Sequence, residues 1–224
     1  AEAKLFIPKK SWDQAANLVA QYNVTVKAEF ATVDPGLEIS LAELKGARKG
    51  KVMKSAVQRK LCKTISALPH GVIKMSPDIP GLVQTSTNVA IVSTGRKSIT
   101  IATSQRSSVA SEIDEICQTV ANVFELGGAE VETSEGYPGW KPNLDSEILK
   151  IAKETYQSLY GKEPAVKAVH AGLECGIIGE KFPGIDMVSF GPTLQGVHSP
   201  EEKIYIDTVD KFWNYLLAIL KTVN

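Results

Sequence analysis

Histidine is scarce in this chain. There are three in 224 residues, His70, His170 and His198, and none stands in an HxxxH, HxH or HxD arrangement. Zinc centres are built from ligands at such spacings, so a site complete within these residues is not expected. Cysteine is equally sparse: Cys62, Cys117 and Cys175 form an odd, widely separated set without a CxxC pair. This argues against a disulfide framework and for a reducing, cytoplasmic setting. Cys62 and Cys117, both in helix-like runs, are expected as buried apolar fillers. Charge of one sign is not in excess, because 25 lysines and arginines balance 25 aspartates and glutamates. No net field draws nucleic acid or an anionic membrane surface, and neither partner is expected. No apolar run reaches the roughly 18 residues of a membrane span, and the longest, near the C-terminus, is broken by Asp210, Lys211 and Asn214. The opening AEAKLFIPKK has neither a long apolar core nor a cleavage pattern, so secretion is not expected. The cationic cluster KGARKGK lacks the spacing of a phosphate loop and reads as solvated surface.

What is present fits a globular protein: 43% apolar and 22% charged residues over a length that accommodates one large domain or two ordinary ones. Residues 11–20 read as a helix, with Ser11 as N-cap and Trp12, Ala15, Ala16 and Val19 as its apolar stripe. Residues 24–44 read as strand-rich, broken at Asp34-Pro35-Gly36. A helical stripe runs over 52–68 and ends at Pro69. Two strand-like runs, 83–92 and 98–103, flank the hairpin signal Thr94-Gly95-Arg96-Lys97. Residues 108–126 form an amphipathic helix stopped by Gly127-Gly128, and 130–133 read as a short strand. This order implies an α+β sandwich, helices on one face of a mostly antiparallel sheet, over residues 1–134. The Gly-, Pro- and aromatic-rich GYPGWKPN marks a crossing between domains. Beyond it come helices at 146–160, 173–179 and 205–223 and strands at 166–169 and 187–190. Short apolar strands alternating with helices suggest part of a parallel or mixed α/β sheet over residues 135–224. With only two or three strands, that region reads as the end of a domain whose beginning is absent.

The stretch HAGLECGIIGEKFPGIDMVSFGPTLQGVHSPEEKIYID concentrates the candidate chemistry. His198 sits in a Gly-flanked loop after a strand-like run, with carboxylates close behind it. That is a common presentation of a metal ligand, and an exposed loop histidine is the plainer alternative. Gly172 suits a close backbone approach to a ligand, its N–H binding an anion such as a carboxylate. His170 and Glu174 share a helical spacing interrupted by that glycine. Cys175 beside Glu174 is a candidate nucleophile without an identifiable base. Arg106, set in TSQRSSVASE between a strand and a helix, suits bidentate carboxylate recognition, a surface arginine being the alternative. Asn88 could point a polar group into a cleft or simply face outward.

Taken together, GVIKMSPDIPGLVQTSTNVAIV, SQRSS, GYPGWKPN, HAGLECG and DMVSFGPTLQGVHSPEE resemble the C-terminal half of the aminoacyl-histidine dipeptidases. These are Xaa-His dipeptidases of the PepD type, in the cocatalytic zinc peptidase superfamily that includes carnosinase and aminoacylase. The resemblance implies a metallo-dipeptidase with two divalent metals, two zinc ions expected, cobalt or manganese as alternatives. It further implies a homodimer joined through a lid domain. Residues 1–134 would be the later part of that lid, and 135–224 the C-terminal part of a three-layer α/β catalytic domain. His198 then corresponds to a metal ligand, Arg106 to the arginine that pairs with the dipeptide's C-terminal carboxylate, and Gly172 to a backbone contact with substrate. The family's HxD segment, bridging aspartate, catalytic Glu-Glu pair and lid histidine have no counterpart in these residues. His70, in ALPHGV, is not in that motif, and KLFIP has Leu5 where the family carries asparagine. No catalytic residue is therefore expected within this chain, which alone is expected to be inactive. Two rivals are a non-catalytic dimerisation or peptide-carboxylate-binding module, and a cysteine hydrolase using Cys175 and His170.

Overall fold

The computed structural model describes residues 1–46, 50–134, 136, 138–140, 143, 145–167 and 174–223. They fall into two compact units, Ala1–Arg59 and Lys60–Asn224.

In the first unit a 3-10 turn, Lys9–Ser11, leads into helix α1, Trp12–Glu29. The helix runs nine residues past the expected end, and none of it is buried. Residues 24–29, expected as strand because of Val24, Thr25 and Val26, continue the helix to the bond from Phe30 N–H to the Val26 carbonyl at 2.9 Å. A helix satisfies its own backbone, whereas a strand needs a neighbour to pair with. Residues 37–44 take no regular structure, and Ile39 N–H donates to Asn23 Oδ1 at 2.8 Å. Helix α2, Ser55–Ala67, follows.

The second unit is an α+β arrangement. Strands β1 (Gly71–Met75), β2 (Val83–Thr94) and β3 (Ile99–Ser107) form an antiparallel sheet in that order. The β2–β3 register runs from Thr94 opposite Ile99 to Thr85 opposite Ser107, with a slip between Val89 and Ile91. The hairpin closes as TGRK predicts, Gly95 N–H donating to the Ser98 carbonyl at 2.8 Å. Helix α3, Ala110–Leu126, buries Ile116, Val120 and Phe124. Val120 and Phe124 join Leu68 in a core backed by Val89, Ile101, Val123 and Val131. Val131 thus serves the core without the strand pairing expected of 130–133. Cys62 is exposed rather than buried, on the turn of α2 away from the buried Thr64 and Leu68; all three cysteines are free thiols.

Helix α4, Glu147–Tyr160, begins as read: Ser146 Oγ accepts from Leu149 N–H at 3.0 Å. It stops at Gly161, which takes φ 68° and donates its N–H to the Gln157 carbonyl at 2.8 Å. Helix α5 is Glu174–Lys181 and α6 is Asp207–Thr222. Between them β4 (Leu194–Gln195) and β5 (Lys203–Ile204) form an antiparallel ribbon. Helices α4 and α6 share a second core of Ala152, Tyr215 and Ile219, flanked by Ile148, Tyr156, Tyr160, Val188 and Phe190. Tyr215 OH donates to the Ala152 carbonyl at 2.8 Å, so the buried phenol is satisfied. Residues 166–167 and 187–190, read as strands, form no ladder; 168–169 lie outside the described residues. Met187, Val188 and Phe190 are half-buried whereas Val166 is exposed, and an apolar run becomes a strand only with a neighbour at pairing distance.

Glu112, in the first turn of α3, fastens that helix to the sheet. Its side chain is 14% exposed and pairs with Lys74 of β1. It also accepts from Gln84 Nε2 at 2.8 and 2.9 Å and from Thr85 Oγ1, both on β2. These donors, Lys74 first and then Thr85 and Gln84, hold its carboxyl at about 2 against an ordinary 4.5. A carboxylate held low contributes stability that is full above its unfolded value and lost as pH falls toward the folded one. Glu112→Gln is therefore expected to lower neutral-pH stability by about 2 kcal/mol. Urea titrations should also show it removing much of the loss of stability that the parent chain suffers between pH 4.5 and pH 2.

Candidate functional site

Arg106 stands inside β3, opposite Ser86, and not in a loop after the strand as its sequence suggests. The strand outlasts its apolar run because Gln105 and Ser107 find polar partners on β2. Gln105 Nε2 donates to Thr87 Oγ1 at 3.1 Å, and Ser107 Oγ and Thr85 Oγ1 share a hydrogen bond at 2.8 Å. Side chains alternate along a strand, so while Gln105 and Ser107 face the Thr85–Glu112 side, Ser86, Asn88, Ser104 and Arg106 share the other. Arg106 and Asn88 are both exposed there. The strand beneath Arg106 is held by this hydrogen-bonded network, and a guanidinium is a group that pairs with carboxylates through parallel N–H donors. His70 has a local role: its Nδ1 accepts from Val89 N–H at 3.1 Å, which places the proton of the neutral ring on Nε2.

His198 stands at the tip of the β4–β5 ribbon and takes φ 64°, the sole described non-glycine residue at positive φ. The turn Gly196–Ser199 closes with Ser199 N–H donating to the Gly196 carbonyl at 3.0 Å, and Ser199 Oγ donating to the same oxygen at 2.7 Å. His198 occupies the third position, where a type II turn favours Gly or Asn. Its own N–H donates to Glu202 Oε2 at 3.3 Å. The ribbon is tied to α6: Thr193 N–H donates to Thr208 Oγ1 at 2.9 Å, Tyr205 N–H to the Thr193 carbonyl at 3.0 Å, and Tyr205 OH to Gln195 Oε1 at 2.6 Å. A histidine kept in left-handed backbone costs stability, on the order of 1 kcal/mol, and such positions concentrate at functional sites.

Beside the ribbon, α4, α6 and residues 164–167 and 187–193 border a cavity of about 910 Å³. Lys211 reaches it, donating from Nζ to Tyr156 OH at 2.7 Å and lying over the Tyr156 and Tyr160 rings at 4.8 and 4.6 Å. In the sequence Lys211 counts only as an interruption of the C-terminal apolar run, since a lysine inside a helix signals solvent. Glu112 was equally hidden, since an acid in a first turn reads as a helix-dipole residue.

Arg106 and His198 are thus carried by separate supports, the β2–β3 hairpin and the β4–β5 ribbon. Gly172 and His170 lie outside the described residues. Among the described residues no three His, Cys, Asp or Glu side chains gather where they could hold a metal ion. His198 offers one imidazole donor; the described residues do not supply the remainder of a ligand set. The Cys175 thiol is pushed up by burial and then by the Glu174 carboxylate, the reverse of what a thiolate nucleophile requires. His198→Gly is expected to raise the midpoint of thermal unfolding by a few degrees while removing the imidazole; a lowered midpoint contradicts a strained, function-selected turn.

Residues 12–222 match the model of the peptidase family M20/M25/M40. The chain is 33% identical over 223 residues to the cytosol non-specific dipeptidase of Escherichia coli (strain K12), covering 100% of this chain and 46% of that relative. The crystal structure of aminoacylhistidine dipeptidase from Vibrio alginolyticus superposes with a TM-score of 0.81 at 36% identity. It covers 97% of this chain and 44% of its own. The chain therefore spans less than half the length of each of these relatives.

Proposed function

We propose, from the premise that this chain belongs to the peptidase family M20/M25/M40, that it is the C-terminal part of a metal-dependent cytosolic dipeptidase that hydrolyses Xaa-His and related dipeptides. The observation that carries this reading is the match along nearly the whole chain to an aminoacylhistidine dipeptidase, with His198 and Arg106 both on anchored supports. Residues 1–134 belong to a lid that joins two copies into a homodimer, and 135–224 to the catalytic domain. His198 supplies one ligand to a pair of divalent metals, zinc by first expectation and cobalt or manganese as substitutes. Bound metals of this kind activate water and polarise a scissile carbonyl. Arg106 receives the dipeptide's C-terminal carboxylate through paired N–H donors, and the Gly172 backbone contributes a further contact. The cytoplasm is the expected compartment.

A second reading is favoured by one feature: the strand that carries Arg106 is supported by side-chain hydrogen bonds made within Lys60–Asn224. On that reading the chain is a dimerisation or peptide-carboxylate-binding module. The two readings separate in one set of measurements on the purified 224-residue chain. With zinc, cobalt or manganese added it is expected to show no turnover of carnosine or Ala-His, and measurable turnover contradicts its inactivity. Calorimetric dipeptide affinity that rises with added metal supports the residual enzyme site; affinity indifferent to metal supports the binding module.

A further inference from the structure

The crossing segment between the two candidate supports is clamped at two glycines. A Cβ on Gly139 would meet the Ser107 carbonyl oxygen at 2.6 Å and the Ser108 Cα at 3.0 Å. On the other side, a Cβ on buried Gly176, in the first turns of α5, would fall against the Pro138 carbonyl oxygen inside contact distance. Gly136, two residues before Pro138, has open space around it. The backbone of 138–139 thus lies between the end of β3 and α5 with no room for one methyl group on either side. The β3 end is itself fixed. Ser107 Oγ is bonded to Thr85 and accepts from Val109 N–H at 3.1 Å, and Ser108 N–H donates to the Gln84 carbonyl at 3.2 Å. Arg106 directly precedes this clamp, and the sequence that holds Gly172 leads into α5.

We propose that residues 138–139 act as a spacer that sets the distance between Arg106 and α5. Gly139 and Gly176 are then positioning residues for binding of a dipeptide carboxylate. The inference rests on the carboxylate role proposed above for Arg106. Neither glycine takes a positive φ, so its requirement is for close approach and not for backbone freedom. A methyl group at either position cannot be absorbed by a flexible side chain, because the opposing atoms are backbone. It must separate the β3 end from α5.

Amide hydrogen exchange on the 224-residue chain tests the linkage without any ligand. Gly176→Ala is expected to speed exchange in α5 and at the Ser108 amide together, roughly tenfold. Gly136→Ala should change neither. Acceleration confined to α5, or an equal response to Gly136→Ala, overturns the spacer. If Gly176→Ala does not fold, Gly139→Ala at its exposed backbone position carries the same readout, with α5 as the distant reporter. Calorimetry with Ala-His and its C-terminal amide then reads positioning. Gly176→Ala, or Gly139→Ala in its place, should weaken the free acid roughly tenfold and leave the amide unchanged. A parent chain that discriminates acid from amide, with variants that lose both alike, sinks the spacer alone. A parent chain that binds acid and amide equally sinks the role of Arg106 and the spacer with it.

Discussion

The carboxylate of Glu112 is the interaction on which the sheet and its candidate site depend. It draws Lys74 from β1 and Gln84 and Thr85 from β2 onto the first turn of α3. Strands β1 and β2, which fully bury no apolar side chain of their own, are thereby held against α3. The apolar core of Leu68, Val120 and Phe124 lies further along α3. At the Arg106 end, polar bonding therefore does what packing does elsewhere. Buried polar networks of this kind cost much when half satisfied and give a single arrangement when complete. Here no buried side-chain nitrogen or oxygen is left without a partner among the described residues.

The His198 end is held by a different logic. The ribbon that presents the histidine has only two residues in each strand, too few to persist alone. Its stability is borrowed from α6, through Thr208, Thr193 and Tyr205, and α6 is in turn fixed to α4 by Tyr215 and Ile219. The aromatic contacts are edge-on or tilted, Tyr156 against Tyr215 at 5.3 Å and Phe190 against Tyr215 at 4.8 Å, geometries that favour one relative placement. A left-handed histidine is tolerated at the tip because everything beneath it is tied down.

Much of this was legible in the residues. Helix α3 follows from its 3.6-residue periodicity and the Gly127-Gly128 stop, helices α4 and α6 lie within two residues of their expected bounds, and the β2–β3 hairpin follows from TGRK between two strand-like runs. The segments carrying HAGLECG and GPTLQGVHSPEE pointed to the family, and His198 to a loop after an apolar run. What was illegible depended on partners distant in sequence. The β-branched run at 24–26 read as strand because sequence does not reveal that no neighbour pairs with it. Strand β1 is short and mostly exposed, so it lacks the alternation that announces a half-buried strand. Glu112, Lys211, Gly139 and Gly176 look ordinary in one dimension; their roles come from contacts between 27 and 55 positions apart for the first two and from backbone clearance for the others.

His198 is proposed as a metal ligand of a dipeptidase centre to which these 224 residues contribute one part. This role is tested most directly on the polypeptide made from the complete reading frame, by Xaa-His hydrolysis before and after chelation and in His198→Ala. Chelation is expected to abolish turnover and zinc to restore it to the parent, while the variant stays at least about a hundredfold slower with zinc present. Turnover indifferent to chelation, or a variant as active as its parent, would contradict it.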